Sequence, residues 1–145
     1  MVTRTARTAW SGTLAEGSGD VELVSSGLAT FQVSWPKRAS EHADRTTSPE
    51  ELIAAAHSSC FAMQFSGLLG QAGGHPRSLE VTADVGFGPD PEGGFHLSGI
   101  RLTVRGDVEG VDAETFAKIA AEAKESCPVS KALRGVAVTV EATLA

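Results

Sequence analysis

The segment Ser48–Leu69 constrains this chain more than any other. It opens on Ser48-Pro49-Glu50-Glu51. Ser48 suits a helix N-cap, Pro49 suits the first helical position, where its missing N–H costs nothing, and Glu51 completes a Ser-x-x-Glu capping box. From Leu52 to about Leu69 the residues are apolar on nearly every side of a 3.6-residue repeat, which predicts a central, buried helix. Gly70, Gly73, Gly74 and Pro76 close it. His57, Ser58, Ser59, Gln64 and Ser66 interrupt the run, so it reads as a core helix rather than a membrane span.

The remainder reads as strands around two helices. Thr3–Leu14 and Asp20–Val24 flank the turn signal Glu16-Gly17-Ser18-Gly19, and Leu28–Trp35 follows as a third strand. Pro36–Thr47 is polar and irregular, a loop. Beyond the first helix, Leu79–Phe87 alternates cleanly, and Pro89–Gly94 is a turn. In Phe95–Val108 the apolar positions switch parity between Leu97 and Ile100, which calls for a bulge near Gly99. Asp112 caps a second, amphipathic helix carrying Phe116, Ile119, Ala120 and Ala123; Pro128 ends it and opens a further short turn of helix. Val136, Val138, Val140 and Leu144 alternate to the end. The expected class is α+β, with antiparallel sheets packed around two central helices in one domain, 1–145.

Charge narrows the function. A net charge of -6 with scattered lysines and arginines offers no footprint for nucleic acid or anionic lipid. No apolar run follows Arg4 and Arg7, so no secretory signal is expected and the cytosol is the expected compartment, where thiols stay reduced. Two cysteines cannot form a disulfide framework, and His42, His75 and His96 show no metal-ligand spacing, so no metal site is expected.

The cysteines therefore matter through packing or through reactivity. Cys60 lies mid-helix among Phe61, Met63 and Phe65, about three turns from the favourable end of the helix dipole, where burial raises a thiol's pKa. Its place suits a small core residue as well as a reactive one. Cys127 directly precedes Pro128, so it leaves the helical conformation and falls at the N-cap of the next turn, where amide donors favour a thiolate. A plain cap remains the alternative there. Two thiols on separate helices, if they meet, can reduce an O–O bond through a sulfenic acid and then a disulfide.

Thr47–Phe61, with its Pro-Glu-Glu-Leu helix start and Ser-Cys-Phe, and the later Cys127-Pro128-Val129-Ser130 closely resemble the OsmC/Ohr family of organic hydroperoxide reductases. Ala55-Ala56-His57 before the cysteine is similar to the OsmC branch. The resemblance covers essentially the whole chain. It implies a thiol peroxidase in which Cys60 attacks the peroxide, Cys127 resolves the sulfenic acid, Glu50 is the catalytic carboxylate, and an arginine of the preceding loop stabilises the thiolate. Trp35-Pro36-Lys37-Arg38 places Arg38 in that last role, with Arg45 as the fallback. Phe61 is the residue expected to touch substrate. His57 reads as a hydrogen-bonded core or interface histidine before a proton donor. The family further implies a dithiol or lipoylated-protein reductant, no bound cofactor, and an intertwined homodimer with its sites at the subunit interface.

Helix geometry bears on that last point. Ten residues separate Glu50 from Cys60, about 15 Å along the axis and roughly 80° around it, so one chain is not expected to serve one site with both. Two other functions stay open from sequence: a binding module for apolar small molecules, and a redox sensor without turnover.

Overall fold

A computed structural model describes residues 1–145. The chain divides into two compact units, Met1–Leu52 and Ile53–Ala145.

The first unit holds an antiparallel three-stranded sheet in the order β1-β2-β3, with β1 at Arg7–Ser11, β2 at Ser18–Glu22 and β3 at Thr30–Val33. β1 and β3 are shorter than the sequence predicts, and β2 begins at Ser18, inside the expected turn, and ends at Glu22. The β1–β2 connection turns at Gly12, whose φ of +88° favours glycine. A side chain at Gly17 would come within 2.4 Å of the Ser11 and Thr13 carbonyl oxygens, so the turn closes only on a bare backbone. After β3 the chain does not run on as a loop. Ser34 accepts a 3.4 Å hydrogen bond from the Lys37 amide and starts a single helical turn, α1, at Trp35–Arg38. The first turn of α2 (Pro49–Gln71) follows, with the Ser48 hydroxyl accepting from the Glu51 amide at 3.2 Å. Glu51 does not return the second capping-box bond; its carboxylate accepts from the Thr47 hydroxyl instead.

In the second unit, β4 (His75–Pro89) and β5 (Phe95–Glu109) form a long antiparallel hairpin. Gly86 pairs with Gly99 and Phe87 with Leu97, so Ser98 is the extra residue of a bulge where the parity switch requires one. Strand β6 (Val138–Leu144) pairs parallel to β5, so this sheet is mixed, against the antiparallel expectation. The cause lies in the connection. Helices α3 (Ala113–Ser126) and α4 (Pro128–Ala132) form a crossover that returns the chain to enter the sheet in the same direction as β5. Asp112 caps α3 through the Thr115 amide at 2.8 Å, and Phe116, Ile119, Ala120 and Ala123 are all buried.

The core of this unit joins Leu102, Val104 and Val108 of β5 to that face of α3 and to Phe61, Phe65 and Leu69 of α2. Their spacing of four puts these three on one stripe of α2. By length and hydropathy Pro49–Gln71 could cross a membrane, but this stripe is already engaged in core packing. The opposite side is not covered: Ala55, Ala56, Ser59, Ser66 and Gly67 are exposed, and Met63 is 71% exposed. The helix is thus buried along one face and not all round, because one sheet and one helix can flank only part of a cylinder.

Gly106 marks the tightest point of the sheet–helix contact. An added methyl would stand 2.8 Å from the Leu79 side chain and from the fully buried Phe116 ring. Gly106→Ala is expected to destabilise the fold by about 1–3 kcal/mol through overpacking, read as a lowered midpoint in urea unfolding.

Candidate active site

Two constellations carry chemistry, one in each unit. In the first, α1 presents Arg38 and the opening turn of α2 presents Glu50. Arg38 donates from Nε to both carboxylate oxygens, at 3.1 and 3.2 Å, and from Nη2 to Oε1 at 2.7 Å. This two-pronged match of guanidinium to carboxylate fixes the plane of both groups. The guanidinium carbon also lies 5.9 Å from the centre of the Trp35 ring, so α1 supplies the cation and its aromatic support together. Glu50 is buried, and burial alone would raise its carboxyl. The Arg38 hydrogen bonds, the helix-start amide and the Arg38 charge outweigh that and hold it below the ordinary 4.5. Arg45, the fallback cation, sits exposed in the loop after α1, with a left-handed backbone at φ 64°.

In the second unit Cys60 and Cys127 are free thiols whose sulfurs lie 3.2 Å apart. Cys127 is the hinge between two helices. It is the C-cap of α3, its N–H donating to the Ala123 carbonyl at 2.8 Å, and the N-cap of α4. Its φ and ψ of -57° and 125° are the extended geometry that a following proline imposes. Cys127 is fully buried and Cys60 partly buried.

The two thiols differ in acidity. Burial is the largest influence on Cys60 and raises its pKa; the Val129 amide offsets part of this, and the Cys127 sulfur raises it further. Burial also raises Cys127, but the Ser130 amide, the Cys60 thiol, the Ser130 hydroxyl and the Val129 amide together bring it below its ordinary value. None of these amides closes a fully formed cap hydrogen bond on the sulfur, so their effect is electrostatic. Within this unit Cys127 is the readier thiolate.

His57, one turn before Cys60, is fully buried, and its Nε2 is 2.7 Å from the Ser130 hydroxyl oxygen. Nearby, Gln64 donates to the Ser126 hydroxyl at 2.9 Å, a second tie between α2 and the end of α3. Phe61, read from sequence as a substrate contact, is 0% exposed. Its ring packs 5.6 Å from that of Phe65 in the core cluster that also holds Cys127. Sequence reasoning did not single out Ser130, which the fold brings against His57.

The second unit is thus a mixed α+β fold that holds two thiols in contact at a helix hinge. Residues 42–141 match the OsmC-like protein family, and the chain belongs to it. It is 39% identical over 125 residues to the peroxiredoxin OsmC of Escherichia coli, covering 86% of this chain and 85% of that protein. To the organic hydroperoxide resistance protein-like 2 of Staphylococcus epidermidis it is 32% identical over 136 residues, covering 90% and 92%. The crystal structure of an organic hydroperoxide resistance protein from Elizabethkingia anophelis superposes with a TM-score of 0.76 at 30% identity, over 100% of this chain and 96% of that one.

The ion pair has a direct readout. Because the Glu50 carboxyl is depressed in the folded state, the stabilisation it contributes is complete at neutral pH and is lost as pH falls through the folded value. Arg38→Met removes the guanidinium that opposes burial and is expected to raise the Glu50 carboxyl, measured by carbon-13 NMR titration of the side-chain carboxyl.

Proposed function

We propose that this chain is a cysteine-based peroxidase that reduces organic hydroperoxides, and hydrogen peroxide more weakly, in the reducing cytosol. The observation that carries the reading is the 3.2 Å contact between two reduced sulfurs held by different helices. A disulfide needs them at about 2.04 Å, so closure requires an approach of only about 1.2 Å. The names borne by the relatives, peroxiredoxin and organic hydroperoxide resistance protein, support the same reading.

In this mechanism the Cys60 thiolate attacks the terminal oxygen of the hydroperoxide. The O–O bond breaks, the alkoxide leaves and takes up a proton to become the alcohol, and Cys60 carries the oxygen as a sulfenic acid. Cys127 attacks that sulfur; the S–S bond forms, and the departing hydroxide is protonated to water. An external dithiol, free or as a lipoyl group on a protein, reduces the disulfide, and no bound cofactor is required.

Cys60 is raised by burial, so its ionisation calls for a guanidinium, and Arg38 is the residue we assign to it. Glu50 partly offsets that charge, so its benefit is orientation: the paired carboxylate aims the guanidinium so that it holds the thiolate and polarises the peroxide. Ten residues of continuous helix, about 15 Å of rise, part Glu50 from Cys60. We therefore propose a homodimer in which the Arg38–Glu50 pair of one chain serves the thiols of the other, within a single functional domain spanning 1–145. The exposed small-residue face of α2, with Met63, suits burial against a second copy. Phe61 in this reading is the rigid apolar backing of Cys60 rather than a wall that substrate touches.

Stopped-flow consumption of an alkyl hydroperoxide against hydrogen peroxide, with a dithiol donor, is the decisive experiment. Cys60→Ser is expected to abolish consumption, while Cys127→Ser gives one turnover and then stalls as a trapped sulfenic acid. Arg38→Met is expected to lower kcat/KM by about 100-fold or more, as loss of a charge-stabilising group does. Slow thiol labelling with no sulfenic acid after peroxide would instead indicate a binding module with packed cysteines. A fully active monomer in sedimentation would remove the shared-site arrangement.

A further inference from the structure

Three side chains of α2 meet three at the α3–α4 hinge, in opposite order along the chain. His57 Nε2 lies 2.7 Å from the Ser130 hydroxyl, the Cys60 sulfur lies 3.2 Å from that of Cys127, and the Gln64 amide donates to the Ser126 hydroxyl at 2.9 Å. Steps of three and four residues put His57, Cys60 and Gln64 on one stripe of the helix, over about 10 Å of rise. The sulfur contact is thus the middle rung of a short ladder. Ser126 gives its one hydroxyl proton to the Glu122 carbonyl at 2.8 Å, which leaves its oxygen to accept from Gln64. On the other side His57 is fully buried, and its Nδ1 has no partner. A buried polar atom left unpaired costs stability that an apolar side chain of similar size would not. Packing alone therefore gives no reason for an imidazole here, and its bond to Ser130 does.

We infer that His57 and Gln64, through Ser130 and Ser126, form a two-point clamp that holds Cys127 against Cys60 and so sets both the speed of disulfide closure and the stability of the disulfide. The closure rate rests on the peroxidase reading above; the disulfide's stability needs only the two thiols. Ser126 directly precedes Cys127, and Ser130 lies in the helical turn that Cys127 caps, so the two bonds hold the backbone on both sides of the sulfur. The hinge lacks some support of its own, because Pro128 has no N–H to donate and Cys127 is extended. Apolar packing is non-directional, whereas these bonds fix how the hinge is turned towards α2 as well as how near it lies. In closure Cys127 gives up its proton, its sulfur forms the S–S bond as the S–O bond of Cys60 breaks, and the leaving hydroxide takes up a proton to depart as water. An intramolecular step of this kind gains from reactants already in place, and misplacement slows it steeply. The four clamp side chains act through the placement of sulfur and are positioning residues.

The test reads the disulfide itself, without peroxide. The protein is equilibrated in mixtures of reduced and oxidised dithiothreitol, whose two thiols reduce the protein disulfide and close into a ring disulfide. The reduced fraction is counted by thiol alkylation and mass spectrometry. Gln64→Leu and Ser126→Ala are each expected to make the disulfide about fivefold easier to reduce, the usual contribution of one neutral hydrogen bond, which is a potential about 20 mV more positive. The double variant should match either single one, because the two residues share one bond. Ser126→Thr, which keeps the hydroxyl, is expected to hold the unaltered potential. On the other rung His57→Leu and Ser130→Ala should give the same shift; if the buried histidine variant fails to fold, Ser130→Ala judges that rung. With stoichiometric alkyl hydroperoxide, each clamp variant is expected to close its disulfide about fivefold more slowly relative to its rate of sulfenic acid formation. An unchanged potential in Gln64→Leu or in Ser130→Ala, with only the urea unfolding midpoint lowered, overturns the clamp. Absence of sulfenic acid even in the unaltered protein would sink the peroxidase reading, and the potential would still judge the clamp.

Discussion

The proposed chemistry of this chain depends on one contact, the meeting of the Cys60 and Cys127 sulfurs, and that contact is a product of core packing. Phe61, Phe65 and Leu69 seat α2 against α3 and β5, with Phe65 edge-on to Phe116 at 4.9 Å, and Cys127 belongs to the same buried cluster. Proline at position 128 then breaks the helix one residue after Ser126 and bends Cys127 into extended backbone. Without the apolar stripe the helices would not register. Without the break the thiol would continue round α3. The His57–Ser130 and Gln64–Ser126 hydrogen bonds flank the sulfurs and tie the same elements with directional contacts.

Where local chemistry decides, the sequence was legible. Ser48, Asp112 and Pro128 act at the helix ends they mark, and the parity switch in β5 falls at Ser98. Arg38 and Glu50, each singled out from sequence, are brought into a bidentate pair across twelve residues. What sequence did not carry depends on three-dimensional closure. Strand β6 alternates as any half-buried strand does, and its parallel direction follows only from where the α3–α4 crossover delivers it. The α1 turn was readable in principle from Ser34 and Pro36 but is a single turn, too short for periodicity to register. Glu51 illustrates a local competition, since the Thr47 hydroxyl takes the carboxylate that the capping box would use.

Acidity is where pattern misleads most. Cys60 is partly and Cys127 fully buried, both next to apolar neighbours, yet one is pushed up and the other down. The difference comes from the few polar groups that face each sulfur. Cys127 has the Ser130 hydroxyl and the amides of a starting helical turn, whereas Cys60, far along α2, has one amide and another thiol. Hydrophobic patterning records burial, but the orientation of a single hydroxyl lies beyond it.

Because Cys127 terminates one helix and begins the next, it has almost no slack of its own. A sulfur so tethered can travel the last ångström by side-chain rotation and small helix settling, with both helices left intact. Reduced and oxidised forms of such a protein should be nearly superposable. A binding partner would then find little difference in shape between them, which suits a catalyst that must reset quickly and ill suits a messenger that must be read.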